Sequence, residues 1–212
     1  MSQIKLKHSG GNGVIIAAPS SNPAADRTLL LPGDGDSTID TLDREGNILQ
    51  VKQTVKSDTY SKTVSPGTTV FTGENCMELA FTPTKSTSKL LISGNLSVGS
   101  GNTNGLERIG VILKAGSSTI TAATGDASSN RSRVLTAAWQ GNQTLAQYCM
   151  SSMSFSYLHT VSNTNAVTYG LELVGLSGAA SMTVYLNRVD NTLDQSWSPR
   201  AISTLTIQEV AV

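Results

Sequence analysis

An all-β fold, an antiparallel β-sandwich of jelly-roll type, is predicted for this chain from three observations. Charged residues are only 14% of the 212, against roughly 25% in an average soluble protein. Ser and Thr make up about a quarter of the chain, with nineteen Gly beside them, a composition suited to pleated strands and tight connections. Apolar and polar residues alternate at period two in run after run, and no segment keeps a helical period over three turns.

The first forty-odd residues differ from the rest. Ile4-Lys5-Leu6-Lys7 alternates, Ser9-Gly10-Gly11-Asn12-Gly13 is a turn cluster, and Val14 to Ala18 is a short apolar strand that Pro19-Ser20-Ser21-Asn22-Pro23 breaks. Arg27 to Leu31 is a third short strand, stopped by Pro32-Gly33-Asp34-Gly35-Asp36. Strands this short make no core alone. Residues 1–47 are therefore expected to take their order from a partner chain or an assembly, and 48–212 to form the sandwich.

From Ile48 onward the strands carry one apolar face each. Leu90, Ile92, Gly94, Leu96 and Val98 alternate first, then Ile109, Val111 and Leu113. A long strand is expected from Leu145 to Leu158, with Cys149, Met153, Phe155 and Tyr157 on one face and Tyr148, Met150, Ser152, Ser154 and Ser156 on the other. Val167, Tyr169, Leu171 and Leu173 follow, then Met182, Val184 and Leu186, and the chain closes on Leu205 and Ile207. That spacing predicts eight to ten strands in two layers. Trp139, after Val134-Leu135-Thr136-Ala137-Ala138, is expected in the core.

Charge excludes several functions. Fifteen basic residues balance fifteen acidic ones, so nothing is in excess to neutralise phosphates, and no nucleic acid is expected as a partner. No apolar run approaches the roughly 20 residues of a membrane span, so no membrane insertion is expected. Cys76 and Cys149 have no CxxC neighbour and are expected as two buried thiols of a protein made in a reducing cytoplasm. Whether they pair stays open.

No enzymatic function is expected. His8 and His159 are the two histidines, no GxSxG elbow is present, and Glu74, Glu78, Glu107, Asp126, Glu172, Asp190 and Asp194 are scattered singly. Asp34, Asp36, Thr38, Asp40 and Glu45 have calcium-loop spacing, but Ile39 stands where the loop needs Gly, so a polar hinge is the better account. Gly10-Gly11-Asn12-Gly13 precedes a strand rather than a helix and reads as a hairpin turn, not a phosphate loop. No metal or cofactor is expected.

Surface recognition has a clearer lead. The run from Asn191 to Arg200 reads as a loop before the last strand, with Trp197 among polar neighbours. An aromatic face there suits a sugar or a protein partner, with Asp194, Gln195 and Arg200 as hydrogen-bonding groups; the favoured alternative is that Trp197 tucks over the end of the sandwich or into a subunit contact. Tyr148 and Met150 are the candidate contacts between subunits.

The run from His8 to Pro32, with Ala18-Pro19-Ser20-Ser21-Asn22-Pro23-Ala24 at its centre, resembles an element near the start of tail-fibre and other virion proteins of marine bacteriophages and cyanophages. Ile48 to Val55 looks like the opening strand of the β-domain that follows it there. Phe81 to Ile92 resembles that domain's I-T-P-S-S-x-S-S-K-I-L-V signature, and Leu205 to Val210 its closing strand. Between Gly99 and Ser198 the likeness is one of style. The resemblance implies a virion structural protein, a homotrimeric fibre or knob, joined to other virion proteins through Val14, Ile15, Ile16, Pro19, Asn22, Pro23, Leu29 and Leu31. Its β-domain would then meet a host-surface glycan or protein. The alternatives are a capsid-decorating or head-fibre protein and, less favoured, a glycan-cleaving tailspike, whose usual long repeats this chain lacks.

Overall fold

The computed structural model describes residues 3–7, 9–17, 44–64, 75–101, 108–139, 147–176, 182–191 and 195–212. His8, Pro19, Asn22, Pro23, Leu29, Leu31, the spacing from Asp34 to Asp40, Leu145 and Asp194 lie outside the described residues. The chain divides into two units, Met1–Asp40 and Thr41–Val212.

In the first unit β1 (Gln3–Lys7) and β2 (Gly13–Ala17) form an antiparallel hairpin, with Gln3 opposite Ala17 and Lys7 opposite Gly13. Gly11 turns the chain at φ +99°, a conformation side-chain-bearing residues rarely adopt. Val14, Ile15 and Ile16 lie on β2.

The second unit is the sandwich. Its strands are β3 (Ile48–Lys56), β4 (Tyr60–Val64), β5 (Met77–Phe81), β6 (Lys89–Gly101), β7 (Arg108–Ala115), β8 (Ser118–Thr119), β9 (Thr136–Trp139), β10 (Ser151–Thr160), β11 (Val167–Gly175), β12 (Met182–Leu186) and β13 (Ser203–Val210). Every pairing among them is antiparallel. In the first sheet, β6 pairs with β10 along one edge and with β13 and then β12 along the other. β3 lies outside β13, and β4 outside β12. The registers make β12 and β13 one interrupted row, and β3 and β4 another. The second sheet runs β5, β11, β7, with β8 and β9 sharing the far edge of β7.

Counted as rows in chain order, the first sheet reads 1-8-3-6 and the second 2-7-4-5. That is the order of a complete jelly roll, in which the long connections alternate between layers. The inward residues are those that alternation picked out: Leu90, Ile92, Leu96, Val98, Ile109, Val111, Leu113, Leu171, Val184, Leu186, Leu205 and Ile207 are all fully buried. Each such side chain contributes roughly 1.5–3 kcal/mol by leaving water.

Three expectations are corrected. Gln147 and Tyr148 form a turn and β10 starts only at Ser151, so Tyr148, Cys149 and Met150 precede the strand rather than share its faces. Cys149 is exposed and unpaired, while Cys76 is buried and its thiol is pushed up to about 12 by burial. Trp139 is 63% exposed. Ala138 stands opposite Ile109 on the inner face, and period two then turns the next residue outward. Phe155 is half-buried, its ring over Gly94, where a Cβ would lie 2.8 Å from the Phe155 Cζ.

The two sheets differ on their outer faces. β7 and β11 are buried on both faces over most of their length, and on β7 Val134 lies so close over Gly110 that a Cβ there would meet it at 2.7 Å. The outer face of the first sheet is instead lined by exposed or half-buried polar side chains such as Gln53, Thr206, Ser154 and Asn95.

Candidate interaction surface

The break between β12 and β13 positions the candidate surface. Asn187 ends β12 with φ +61° and is fully buried. Asn tolerates this left-handed conformation better than other residues that carry a side chain. Its side-chain amide donates to the Lys56 and Asp58 carbonyls at 2.8 and 2.9 Å, where the neighbouring row bends. Its oxygen accepts from Ser203 Oγ at 2.6 Å, and Ser203 Oγ accepts from the Ser97 N–H at 3.1 Å. The Asn187 N–H reaches the Ser97 carbonyl at 2.8 Å. A side chain thus replaces the backbone ladder across the gap, as buried polar groups require. The chain leaves the sheet after Asn187 and rejoins it at Ser203.

The outgoing loop is stiffened at its base. The Arg188 guanidinium lies over the Tyr185 ring at 4.5 Å and donates to the Val189 and Asp190 carbonyls, both at 3.0 Å. The Tyr185 hydroxyl donates to Asp190 Oδ1. Burial, then the Asp190 carboxylate, push this phenol up to about 12, so it stays a donor at any physiological pH. Gly99 and Gly101 let the loop lie close: a Cβ at either would meet Arg188 O at 2.5 Å or the Asp190 carboxylate at 2.6 Å.

At the tip Trp197 is 47% and Tyr148 39% exposed, and their rings meet edge to face, with centroids 5.2 Å apart and planes at 73°. The Asn191 N–H to Gln147 carbonyl bond, 3.0 Å, ties the loop to the turn that carries Tyr148. Gln195 and Arg200 are exposed nearby in sequence, and Arg200 pairs with Arg188 through the backbone. The structure therefore brings together Trp197, expected for recognition, and Tyr148, expected for a subunit contact. Met150, half-buried, follows two residues on. Two oriented aromatic rings with polar neighbours can stack on a sugar face or anchor a protein loop.

The opposite end of the sandwich is where the chain comes in. The Gly46 N–H bonds to the Ala211 carbonyl at 2.9 Å and the Ala211 N–H to the Asn47 carbonyl at 2.8 Å. Val210 and Thr160 flank Lys89 in this row, whereas Ser151, just after Tyr148, stands opposite Val98. Nine residues of strand separate the two, about 30 Å.

Glu209 closes this end. It is fully buried and accepts from Gln50 Nε2 at 2.7 Å, the Thr84 N–H at 2.8 Å, Thr84 Oγ1 at 3.0 Å, the Lys85 N–H at 3.1 Å and Ser88 Oγ at 2.6 Å. Burial raises its pKa, but the bonds from Ser88, Gln50, Thr84 and Lys85 outweigh that and hold it down at about 2. The T-P-T-K-S-T-S turn and the closing strand are thus one structural unit. Sequence reasoning missed Glu209 and Asn187; the signal for Glu209 was a lone acid at an inward position of an alternating strand.

Several of the acidic and histidine side chains among the described residues have local partners. Glu78 accepts from Asn75 Nδ2, Glu172 pairs with Lys114, and Asp190 accepts from Tyr185. His159 packs edge-on against Tyr169 at 5.7 Å, its pKa lowered by burial, beside a cleft of about 220 Å³ that Pro83, Asn163 and Asn165 also line.

No family model matches the sequence, and no curated protein matches it. Among solved structures, one of the infectious bursal disease virus Gx strain is 12% identical, with a TM-score of 0.38 over 88% of this chain and 41% of that one. T=1 particles derived from infectious bursal virus give 14% identity and a TM-score of 0.39 over 98% of this chain and 44% of theirs. Mud crab dicistrovirus gives 13% identity and a TM-score of 0.23 over 89% and 91%. The chain spans less than half the length of the two bursal-virus chains it matches.

Proposed function

We propose that this chain is a virion structural protein whose jelly roll is displayed on the particle and binds a host-surface glycan or protein through the Tyr148–Trp197 surface. The observation that carries this reading is polarity: the chain enters at the Gly46–Ala211 end, and the exposed aromatic pair stands at the other. The jelly roll, an architecture common in capsid and lectin domains, and the resemblance of residues 8–32 to a virion element support it. The mechanism is binding without turnover. Residues 1–47 attach the protein to its virion partners, and three copies acting together raise a weak affinity per site through avidity.

The test uses particles assembled with variant protein. Trp197→Ala and Tyr148→Ala should leave assembly intact and reduce adsorption to host cells at least tenfold. Normal adsorption by both variants sinks the recognition role. Deleting residues 1–43, which keeps the Gly46 and Asn47 bonds to Ala211, should yield a folded protein that no longer joins particles; normal incorporation would refute the attachment role. Native mass reads the trimer, which Met150→Glu is expected to weaken by placing an unpaired charge at the contact.

A further inference from the structure

The outer face of the second sheet holds a buried polar cluster that neither the core nor the interaction surface uses. Lys114 on β7 and Gly170 on β11 are cross-strand partners, so the lysine rises beside a position with no side chain. Glu172, two residues along β11 on the same face, takes the Lys114 ammonium at 3.3 Å, with side-chain exposures of 3% and 11% respectively. The Asn75 carboxamide fills the space over Gly170: a Cβ at that position would lie 2.3 Å from Asn75 Cγ and 2.2 Å from Nδ2. Asn75 is held there by its Nδ2 donating to Glu78 Oε1 at 2.7 Å and by the adjacent Cys76 N–H to Leu171 carbonyl bond at 2.8 Å.

Two oxygens of this cluster, Asn75 Oδ1 and Glu172 Oε1, are buried with no hydrogen-bond partner among the described residues. Unpartnered buried acceptors are costly, and a native structure rarely keeps two so close in register without a use for them. What the cluster assembles over Gly170 is an amine, a carboxamide carbon and a carboxylate, with Lys114 and Glu172 buried and Asn75 half-buried.

We propose that Lys114 and Asn75 join in an intramolecular isopeptide bond, with Glu172 carrying the proton. The Lys114 ammonium gives one proton to Glu172 at Oε2, and the carboxylic acid so formed polarises Asn75 Oδ1. The neutral Nζ adds to Asn75 Cγ, the Nζ–Cγ bond forms and the Cγ–Nδ2 bond breaks. Nδ2 leaves as ammonia with the proton that Nζ loses, and the proton on Glu172 follows it as ammonium. An ammonium and a carboxamide become a secondary amide and an ammonium ion, with no oxidant and no cofactor. Held side by side in a buried site, the two groups react at an effective concentration far above any in solution, up to about 10⁵–10⁸ M for well-oriented pairs. The bond would tie edge strand β5 to β7 across β11, locking the sheet covalently.

Intact-mass measurement on the purified full chain tests this. Wild type should weigh about 17 Da less than its sequence requires, the mass of one ammonia, and its tryptic digest should hold a branched peptide joining the Asn75 and Lys114 segments. Glu172→Gln, Lys114→Arg and Asn75→Ala should each restore the full mass and lower the melting temperature. Because a variant can fail to fold, the wild-type digest decides on its own. Recovery of the two segments as separate linear peptides overturns the proposal, and so does an ammonia loss confined to one peptide, as an asparagine succinimide would give.

Discussion

Asn187, at the break in the interrupted row, and Glu209, near the row's last residue, are both fully buried and both polar, yet they solve different problems. Glu209 gathers five donors from two segments, Gln50 and the Thr84–Ser88 turn, and clamps that turn shut. Asn187 offers two donors and one acceptor to fill a gap where the chain leaves the sheet. A carboxylate suits a site where every neighbour donates, because it accepts only and its charge strengthens each bond. An amide suits a site that needs both kinds of group. The end with the carboxylate is where the chain comes in, and the end with the amide releases the loop that carries Trp197.

The largest effect is expected at Glu209. Glu209→Ala leaves the Thr84 and Lys85 N–H groups without their acceptor and should cost about 3 kcal/mol or more, read by urea denaturation. The same residue sets an acid limit. Its pKa is depressed in the fold from an ordinary 4.5 to about 2, so its contribution is complete above pH 4.5 and is lost as pH falls toward 2. Wild-type stability should fall across that window, and Glu209→Gln should flatten the slope there. An unchanged slope would mean that other carboxylates dominate.

Asn187→Asp comes next, at about 2 kcal/mol, because it turns a carboxylate oxygen toward the Lys56 and Asp58 carbonyls. Its penalty should shrink on acidification, opposite in sign to the Glu209 effect, and a shared sign in pH-dependent melting would break the contrast between the two residues. Ser88→Ala removes one of five donors at Glu209 and should cost about 1 kcal/mol by the same denaturation assay. Trp197→Ala is the smallest, within about 0.5 kcal/mol by thermal melting, since its ring packs on Tyr148 at the surface rather than in the core. A larger loss would make Trp197 a structural lid.

Much of this was legible in the sequence. Period-two alternation marked the inward residues from Leu90 to Val98 and from Leu205 to Ile207, and the glycine cluster at 10–13 marked the first hairpin. Trp197 was legible as a loop residue among polar neighbours, but its local sequence did not say whether the ring stays open or tucks over the end of the sandwich. Trp139 was not: hydrophobic character suggested burial, but its place in the alternation, one step past Ala138, decided for solvent. The apolar residues before Ser151 extend the strand pattern back over Tyr148, whereas the chain turns at 147–148 and brings its ring to Trp197.

The sequence by itself determined the layer class and the inward face of most strands, because these depend on local period and on the chemistry of single residues. The tertiary structure alone decided that β12 and β13 are one row, that Glu209 closes the turn at Thr84–Ser88, and that Asn75 lies over Gly170 beside Lys114 and Glu172. Alternation says which way a side chain points, not which row stands beside it. A buried polar group finds its partners only across rows far apart in the chain, and that pairing belongs to the topology.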